Sequence, residues 1–401
     1  MDQDLKNFNY LNVTQLLGVI NDNLFKLLLV FFLIESQGVE SSSFILALAG
    51  AVFVIPFLIL SIPAGGLADK ISKQRIVVMT KMAEVVTTLV GVFAFWWHSA
   101  FLLYTVLFLL AIQGAVFGPS KYSIVPELVP SRKISKANGL LSSFTFLGII
   151  IGTSAAGPLV QITEKNYIIA AFFCVALAIL GLSLSLKIPP TLAAGSAKPI
   201  PYRFFSDIFK TYKKALLVRH LLPAILGSAF FLAIGGFVQL NIIPFTIEML
   251  HKSDVDGSYF FLLTAVGIGI GSLIAAKLSG KEVRLSLVPI GGWGMVACFL
   301  GLGLIKPSLA VDLPCLLLLG LFGGLFLVPL DAYIQTASPK DECGQNVAAN
   351  NFTGFVGVLL SSGLIYIFAE IGLSPATGFT LMGLLAAAPT VVITALFRSR
   401  K

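Results

Sequence analysis

Twelve stretches of the chain stay apolar for about 20 residues or more, the length an α-helix needs to cross the hydrocarbon core of a bilayer. They run roughly over 11–35, 44–68, 75–97, 100–124, 135–160 and 166–187, then over 221–249, 257–279, 284–306, 311–335, 344–371 and 375–397. Short polar turns separate them except between the sixth and seventh. There Ile188 to His220 forms the one long polar interval, which opens on Pro189-Pro190 and carries Lys198-Pro199-Ile200-Pro201. The pattern predicts an all-α integral membrane protein of twelve transmembrane helices in two pseudo-symmetric six-helix bundles. Residues 1–187 and 221–401 would form the bundles, and 188–220 a cytoplasmic linker. Within that linker Phe204, Phe205, Ile208, Phe209, Tyr212, Leu216 and Leu217 recur at helical spacing opposite Arg203, Lys210, Lys213 and Lys214. This predicts an interfacial amphipathic helix. Met1 to Asn9 has neither a basic leader nor a small-residue cleavage site, so the first apolar run reads as a retained span.

Composition narrows the picture. Of 401 residues, 57% are hydrophobic and 11% charged, against about 25% charged in an average soluble domain. The formal net charge of +8 would suit nucleic acid only if the bases were gathered, and they are not. Twenty-two of the 27 Lys and Arg fall in even-numbered loops, the linker and the two termini. Lys165, Lys252 and Lys306 lie on the opposite side, and Lys26 and Lys81 inside spans. By the positive-inside rule both termini face the cytoplasm. The bases then serve topology and anionic headgroups, and no nucleic-acid partner is expected.

The two halves echo each other. Gly65-Gly66-Leu67-Ala68-Asp69-Lys70-Ile71-Ser72-Lys73 follows span two, and a related run from Gly271 to Lys281 follows span eight. Pro119 to Asn138 is echoed by Pro329 to Asn346. Duplication of a six-span unit suits alternating access, in which two bundles rock about a central site.

The twelve spans, the linker and the stretch from Gly65 to Lys73 resemble the major facilitator superfamily, whose loop after span two usually reads Gly-x-Leu-Ala-Asp-Arg-x-Gly-Arg. Gly65, Leu67, Ala68, Asp69, Lys70 and Lys73 match, and Ser72 replaces the second Gly. Gly65 allows close helix approach. Asp69 can pair with a base or sit against a helix N-terminus, forming with Lys70, Lys73 and Arg75 a conformational lock on the cytoplasmic side. A plain positive-inside loop would explain the bases but not the acid. The second-half counterpart of Asp69 is Ala276, so the lock would be lopsided. Gly148 and Gly157-Pro158 resemble half of the superfamily's antiporter motif, for which close helix packing is the simpler reading.

Finer motifs are similar to those of the bacterial lysophospholipid transporters: Asn21-Asp22-Asn23, Gly118-Pro119-Ser120-Lys121-Tyr122, Lys136-Ala137-Asn138-Gly139-Leu140 and Gly323 to Leu330. The resemblance implies movement of lysophosphatidylethanolamine and related lyso-lipids from the outer to the inner leaflet of a bacterial inner membrane. A cytoplasmic acyltransferase is then the expected functional partner. That family carries an Arg midway along span seven. Gly235 to Asn241 here has no base, which would pass the phosphate to Lys26, Lys121 or polar amides.

An ionisable side chain at mid-membrane costs about 2.5–3.5 kcal/mol by insertion scales, which makes it a functional candidate. Asp22 and Lys26 lie four residues apart, on one helix face, with Asn21 and Asn23 in the same turn. They are either a self-neutralising pair that lets the span insert or a headgroup site. In the second reading Asp22 takes the ammonium, and Lys26 takes the phosphate or orients Asp22. Lys121 and Tyr122 end span four; Lys121 is either a loop base or, by the resemblance, a phosphate ligand. In the second half Gln239, Asn241, Asp331, Gln335 and Asn350, with Asn346 and Asn351, are candidates for substrate contact or for interhelical hydrogen bonds. Glu84 is placed near the cytoplasmic end of span three, as a partner for Lys81 or a loop base.

Enzyme chemistry finds little support, since no GxSxG, HExxH, Walker or DxDxDG pattern occurs. The four scattered Cys and three His suggest no metal, and no cofactor is expected. Its partners are expected to be the lyso-lipid substrate, the surrounding membrane lipids and the cytoplasmic acyltransferase, and the protein itself is expected to be a monomer. The competing functions are a proton-coupled exporter of drugs or metabolites with Asp22 as proton carrier, and a membrane scaffold that transports nothing.

Overall fold

The structure is a computed structural model that describes residues 3–38, 42–193, 195–196, 204–252, 254–280 and 282–398. Its elements are α1 (Gln3–Gln37), α2 (Ser42–Lys70), α3 (Lys73–Trp96), α4 (Ala100–Ser123), α5 (Val125–Leu128), α6 (Ile134–Ile162) and α7 (Tyr167–Ser185). They continue with α8 (Phe204–Leu217), α9 (Leu221–Glu248), α10 (Asp254–Ser279), α11 (Leu287–Leu304), α12 (Leu309–Ala337), α13 (Cys343–Glu370) and α14 (Pro375–Arg398). Twelve of these helices, all but α5 and α8, are long and apolar enough to span a membrane. The all-helical, twelve-span fold is therefore the one the hydropathy pattern predicts. α1 starts well before its apolar run because Phe8 and Leu11 are fully buried and tether the polar first turns. Ser72, Ser99 and Asn166 cap α3, α4 and α7 by accepting the N–H of Arg75, Leu102 and Ile169.

The chain forms two compact units. One comprises residues 1–129, 147–211 and 339–349, the other 130–146, 212–338 and 350–401. In the first unit the core is aromatic. Phe95 meets Phe25 and Phe32 edge-on at centroid distances of 5.7 and 5.4 Å, and Tyr167 meets Phe32 at 5.2 Å.

In the second unit α10 and α12 approach through two facing small-residue ridges, Gly267 with Gly271 and Gly320 with Gly324. A Cβ on Gly267 would sit 3.0 Å from the Leu321 nitrogen, and one on Gly324 2.5 Å from the Ile268 carbonyl oxygen. Lipid tails are as apolar as the helices, so backbone proximity rather than the hydrophobic effect holds such a pair together.

Of the linker, Ile188 is buried, Thr191 bonds the Ser72 hydroxyl at 3.2 Å and accepts the Gln74 N–H, and the Ser196 N–H donates to the Asp69 carbonyl. The first part of the linker is thus pinned to the turn between α2 and α3. In α8, Ile208, Thr211 and Ala215 are buried while Phe209, Leu216 and Leu217 are exposed. Lys198, Pro199, Ile200, Pro201, Arg203 and Lys281, named above for the linker and the repeated loop, lie outside the described residues.

Gly324→Leu forces side-chain volume into the α10/α12 contact. It should cost roughly 1–3 kcal/mol and appear as a lower thermal unfolding midpoint of the detergent-solubilised protein, while Gly363→Leu, whose Cβ would meet open space, leaves that midpoint near wild type.

Candidate functional site

Polar side chains inside α1 and α3 form the charge-bearing part of the first unit. Glu84 lies halfway along α3 and is 1% exposed. The sequence reading put it near the cytoplasmic end of that span; its burial in mid-helix is what lets it reach α1. One Glu84 oxygen accepts the Asn21 amide at 2.8 Å, and the other pairs with Lys81. The Lys81 ammonium also lies 5.1 Å from the Phe117 ring centroid. Both ends of this ion pair are therefore satisfied, as charges withdrawn from water must be.

Asp22 and Lys26 differ. Asp22 Oδ1 is buried without a hydrogen-bond partner, and among the described residues no hydrogen bond or ion pair joins Asp22 to Lys26. The Lys26 ammonium instead faces the Phe53 ring of α2, 5.5 Å from its centroid, a weak cation–π contact. The two side chains share a helix face without a direct bond between them. Asn23 turns back to the Val19 carbonyl at 2.9 Å and acts within its own helix.

Lys121 is no solvated loop base. It is 7% exposed, donates to Gln15 at 3.3 Å and lies 4.5 Å from the Tyr122 ring centroid. Lys73, also counted among the loop bases, is 1% exposed and pairs with Glu127 of α5 at 2.5 Å. Such pairing inside the unit explains how bases can sit at the ends of spans without facing water.

Asp69 is fully buried. Its two carboxylate oxygens accept the Gly344 and Gln345 N–H groups at 2.7 and 2.9 Å. These amides belong to the first turn of α13, where backbone donors lack helical partners and the dipole is positive. Of the two partners the sequence allowed Asp69, the helix N-terminus is the one it takes. Gly65 makes the approach possible, since a Cβ there would fall 2.5 Å from the Gly344 carbonyl oxygen. Lys70 is half-buried and Arg75 exposed, so their side chains stand apart from this contact. In the second unit Gly139 meets Ser272 and Ala276 with the same closeness, but Ala276 offers no acceptor to a helix end.

The second unit gathers its polar residues in three places. Ser228 donates to Asp331 Oδ1 at 2.7 Å and accepts the Asn350 amide at 3.1 Å. Gln335 and Asn138 exchange hydrogen bonds of 2.9 and 2.7 Å. Asn241 donates to the Pro375 carbonyl at 2.8 Å, so it ties α9 to α14. Gln239 is exposed and joins none of these. Ser228 carried no signal in the sequence; a lone Ser in an apolar span is indistinguishable from helix filler until its partners are known.

Units of bilayer-length helices that bury paired and unpaired charges at mid-span define a polytopic membrane transporter. The chain belongs to the major facilitator superfamily: the profile of that family matches residues 11–362. It is 29% identical over 335 residues to the lysophospholipid transporter LplT of Klebsiella pneumoniae subsp. pneumoniae, covering 81% of this chain and 80% of that protein. It is 28% identical over 331 residues to LplT of Salmonella heidelberg, covering 80% of this chain and 78% of the relative. Among solved structures it is similar to the human organic anion transporter MFSD10, with a TM-score of 0.82 at 14% identity over 98% of this chain and 100% of the other. A structure of the E. coli fucose:proton symporter FucP gives 0.79 at 16% identity over the whole of both chains. At such identities the structures speak for the fold alone.

Asp69→Ala removes the acceptor for two first-turn amides of α13. By the usual cost of a lost N-cap it should destabilise that turn by about 1 kcal/mol, seen as faster hydrogen–deuterium exchange in peptides that start at Cys343, with peptides from α11 unaffected.

Proposed function

We propose that this chain carries lysophospholipids, lysophosphatidylethanolamine foremost, from the outer to the inner leaflet of a bacterial inner membrane, with both termini in the cytoplasm. A monomer suffices, and a cytoplasmic acyltransferase restores the missing acyl chain afterwards. The single observation that carries this reading is the Asp22–Lys26 pair, one acid and one base on a shared helix face with no bond between them. A self-neutralising pair would leave nothing for a ligand. An open acid and an open base four residues apart match a zwitterionic headgroup, whose ammonium goes to Asp22 and whose phosphate goes to Lys26. A lysine serves phosphate as a point charge. The names of the relatives support the same substrate class.

Lys121 and Tyr122 would extend the phosphate-facing surface of the first half. Asp331, Gln335, Asn350, Gln239 and Asn241 would contribute polar contacts from the second, Asn241 through its helix tie. The moving bodies would be the six-span halves 1–187 and 221–401. The contact of Asp69 with the start of α13 would then be a lock that opens and closes with each cycle, with Gly65 admitting the close approach. Lys73 would steady the loop through Glu127, and Lys70 and Arg75 would act as its cytoplasmic charges.

In proteoliposomes or in cells lacking other uptake routes, fluorescent lysophosphatidylethanolamine should enter with the wild-type protein. Entry should fall at least about tenfold in Asp22→Ala and in Lys26→Ala, as removal of one partner of a desolvated charge contact typically costs. Normal uptake by both variants at normal membrane abundance would contradict the site. Uptake that appears only with an imposed proton gradient would favour the proton-coupled exporter instead.

A further inference from the structure

Midway along α1 and α3 lie two acids, Asp22 and Glu84, and two bases, Lys26 and Lys81, and of the two acids Glu84 is the one in a salt bridge. We infer that Glu84 is a specificity-determining positioning residue: by holding Lys81 it keeps Asp22 open for a cationic headgroup. The inference deepens the reading of Asp22 given above and rests on it. Lys81 is 4% exposed, and its ammonium lies against α1 at Gly18, where any Cβ would collide with it. Gly18 and Asp22 are one turn apart on α1, so their Cβ positions are separated by roughly 6 Å on the same face. A lysine arm with four rotatable carbons spans that interval with a change of rotamer.

Two features hold the arm away from Asp22. Glu84, one turn along α3, binds the ammonium through one oxygen and is itself aimed by the Asn21 amide through the other. The Phe117 ring covers the ammonium from α4. Asp22 Oδ1 accordingly stays buried without a donor. The absence of a side chain at Gly18 is what makes room for this arrangement.

Remove the Glu84 charge and the logic reverses. A buried ammonium stripped of its carboxylate seeks the next one, and Asp22 is the remaining acid on the adjoining face of α1. Lys81 would then occupy Asp22 as an internal substitute for the headgroup ammonium. Lys26 would still be available for phosphate, so the site would turn from a zwitterion acceptor into an anion acceptor.

The test compares lysophosphatidylethanolamine with the anionic lysophosphatidylglycerol in proteoliposomes. Glu84→Gln should lower the ratio of zwitterionic to anionic transport at least about tenfold. Glu84→Asp, which retains the charge, should stay within about threefold of wild type, and Lys81→Met combined with Glu84→Gln should restore the wild-type ratio. An unchanged ratio in Glu84→Gln, or a double variant that keeps the altered ratio, overturns the inference. Should Glu84→Gln fail to accumulate in the membrane, the double variant decides. Its normal accumulation with a wild-type ratio supports a liberated Lys81 as the cause, and its equal absence overturns it. Asp22→Asn separates the two levels: if it leaves the ratio unchanged the headgroup reading itself falls, whereas a lowered ratio there beside an unchanged one in Glu84→Gln sinks only the role of Glu84.

Discussion

A charge placed between membrane-spanning helices has no water to fall back on, and the pairing of the buried ions of the first unit answers that constraint. Desolvation is repaid only when each ion finds a partner of good geometry. Lys81 and Glu84 do so with help from Asn21 and Phe117, and Lys73 does so with Glu127. Asp69 finds backbone donors rather than a cation. Asp22 keeps one carboxylate oxygen that is buried and unbonded, within a turn of the partly buried Lys26, and in the second unit Asp312 keeps another.

Close packing makes the arrangement possible. Gly18 leaves space for the Lys81 arm, Gly65 lets the Asp69 turn reach the start of α13, and the paired glycines of α10 and α12 bring two backbones together in the second unit. In each case the missing side chain allows a contact that no apolar attraction in lipid would supply. Small residues in this chain are therefore part of its electrostatics as well as of its packing. A Cβ at Gly18 would alter which charges meet, even though glycine carries none.

The helices were legible in the sequence because hydropathy over 20 residues reports a solvent, and lipid leaves a strong imprint. Asp22, Lys26 and Asp69 were legible for the same reason, as ionisable residues where none is cheap. Their partners were not. Whether Asp22 and Lys26 neutralise each other depends on rotamers, which i,i+4 spacing permits but does not impose. Lys121 and Lys73 read as loop bases because sequence position cannot tell a solvated lysine from one folded back into a bundle. Glu84 was misjudged in depth, and Ser228 stayed invisible among apolar neighbours. The hydrogen bonds by which Asn241 and Gln335 tie helices within the second unit likewise depend on partners far away in sequence.

The proposed recognition of a positively charged headgroup by Asp22 is open to direct measurement. The most direct measurement is translocation by the unaltered protein of lysophosphatidylethanolamine beside its N-acetylated form, which keeps the phosphate and the acyl chain but loses the ammonium. Transport of the acetylated lipid should fall at least about tenfold relative to the parent, the loss expected when a buried carboxylate is left without its counter-charge. Equal transport of the two lipids would contradict the account, because the open acid at Asp22 would then have no part in choosing the substrate.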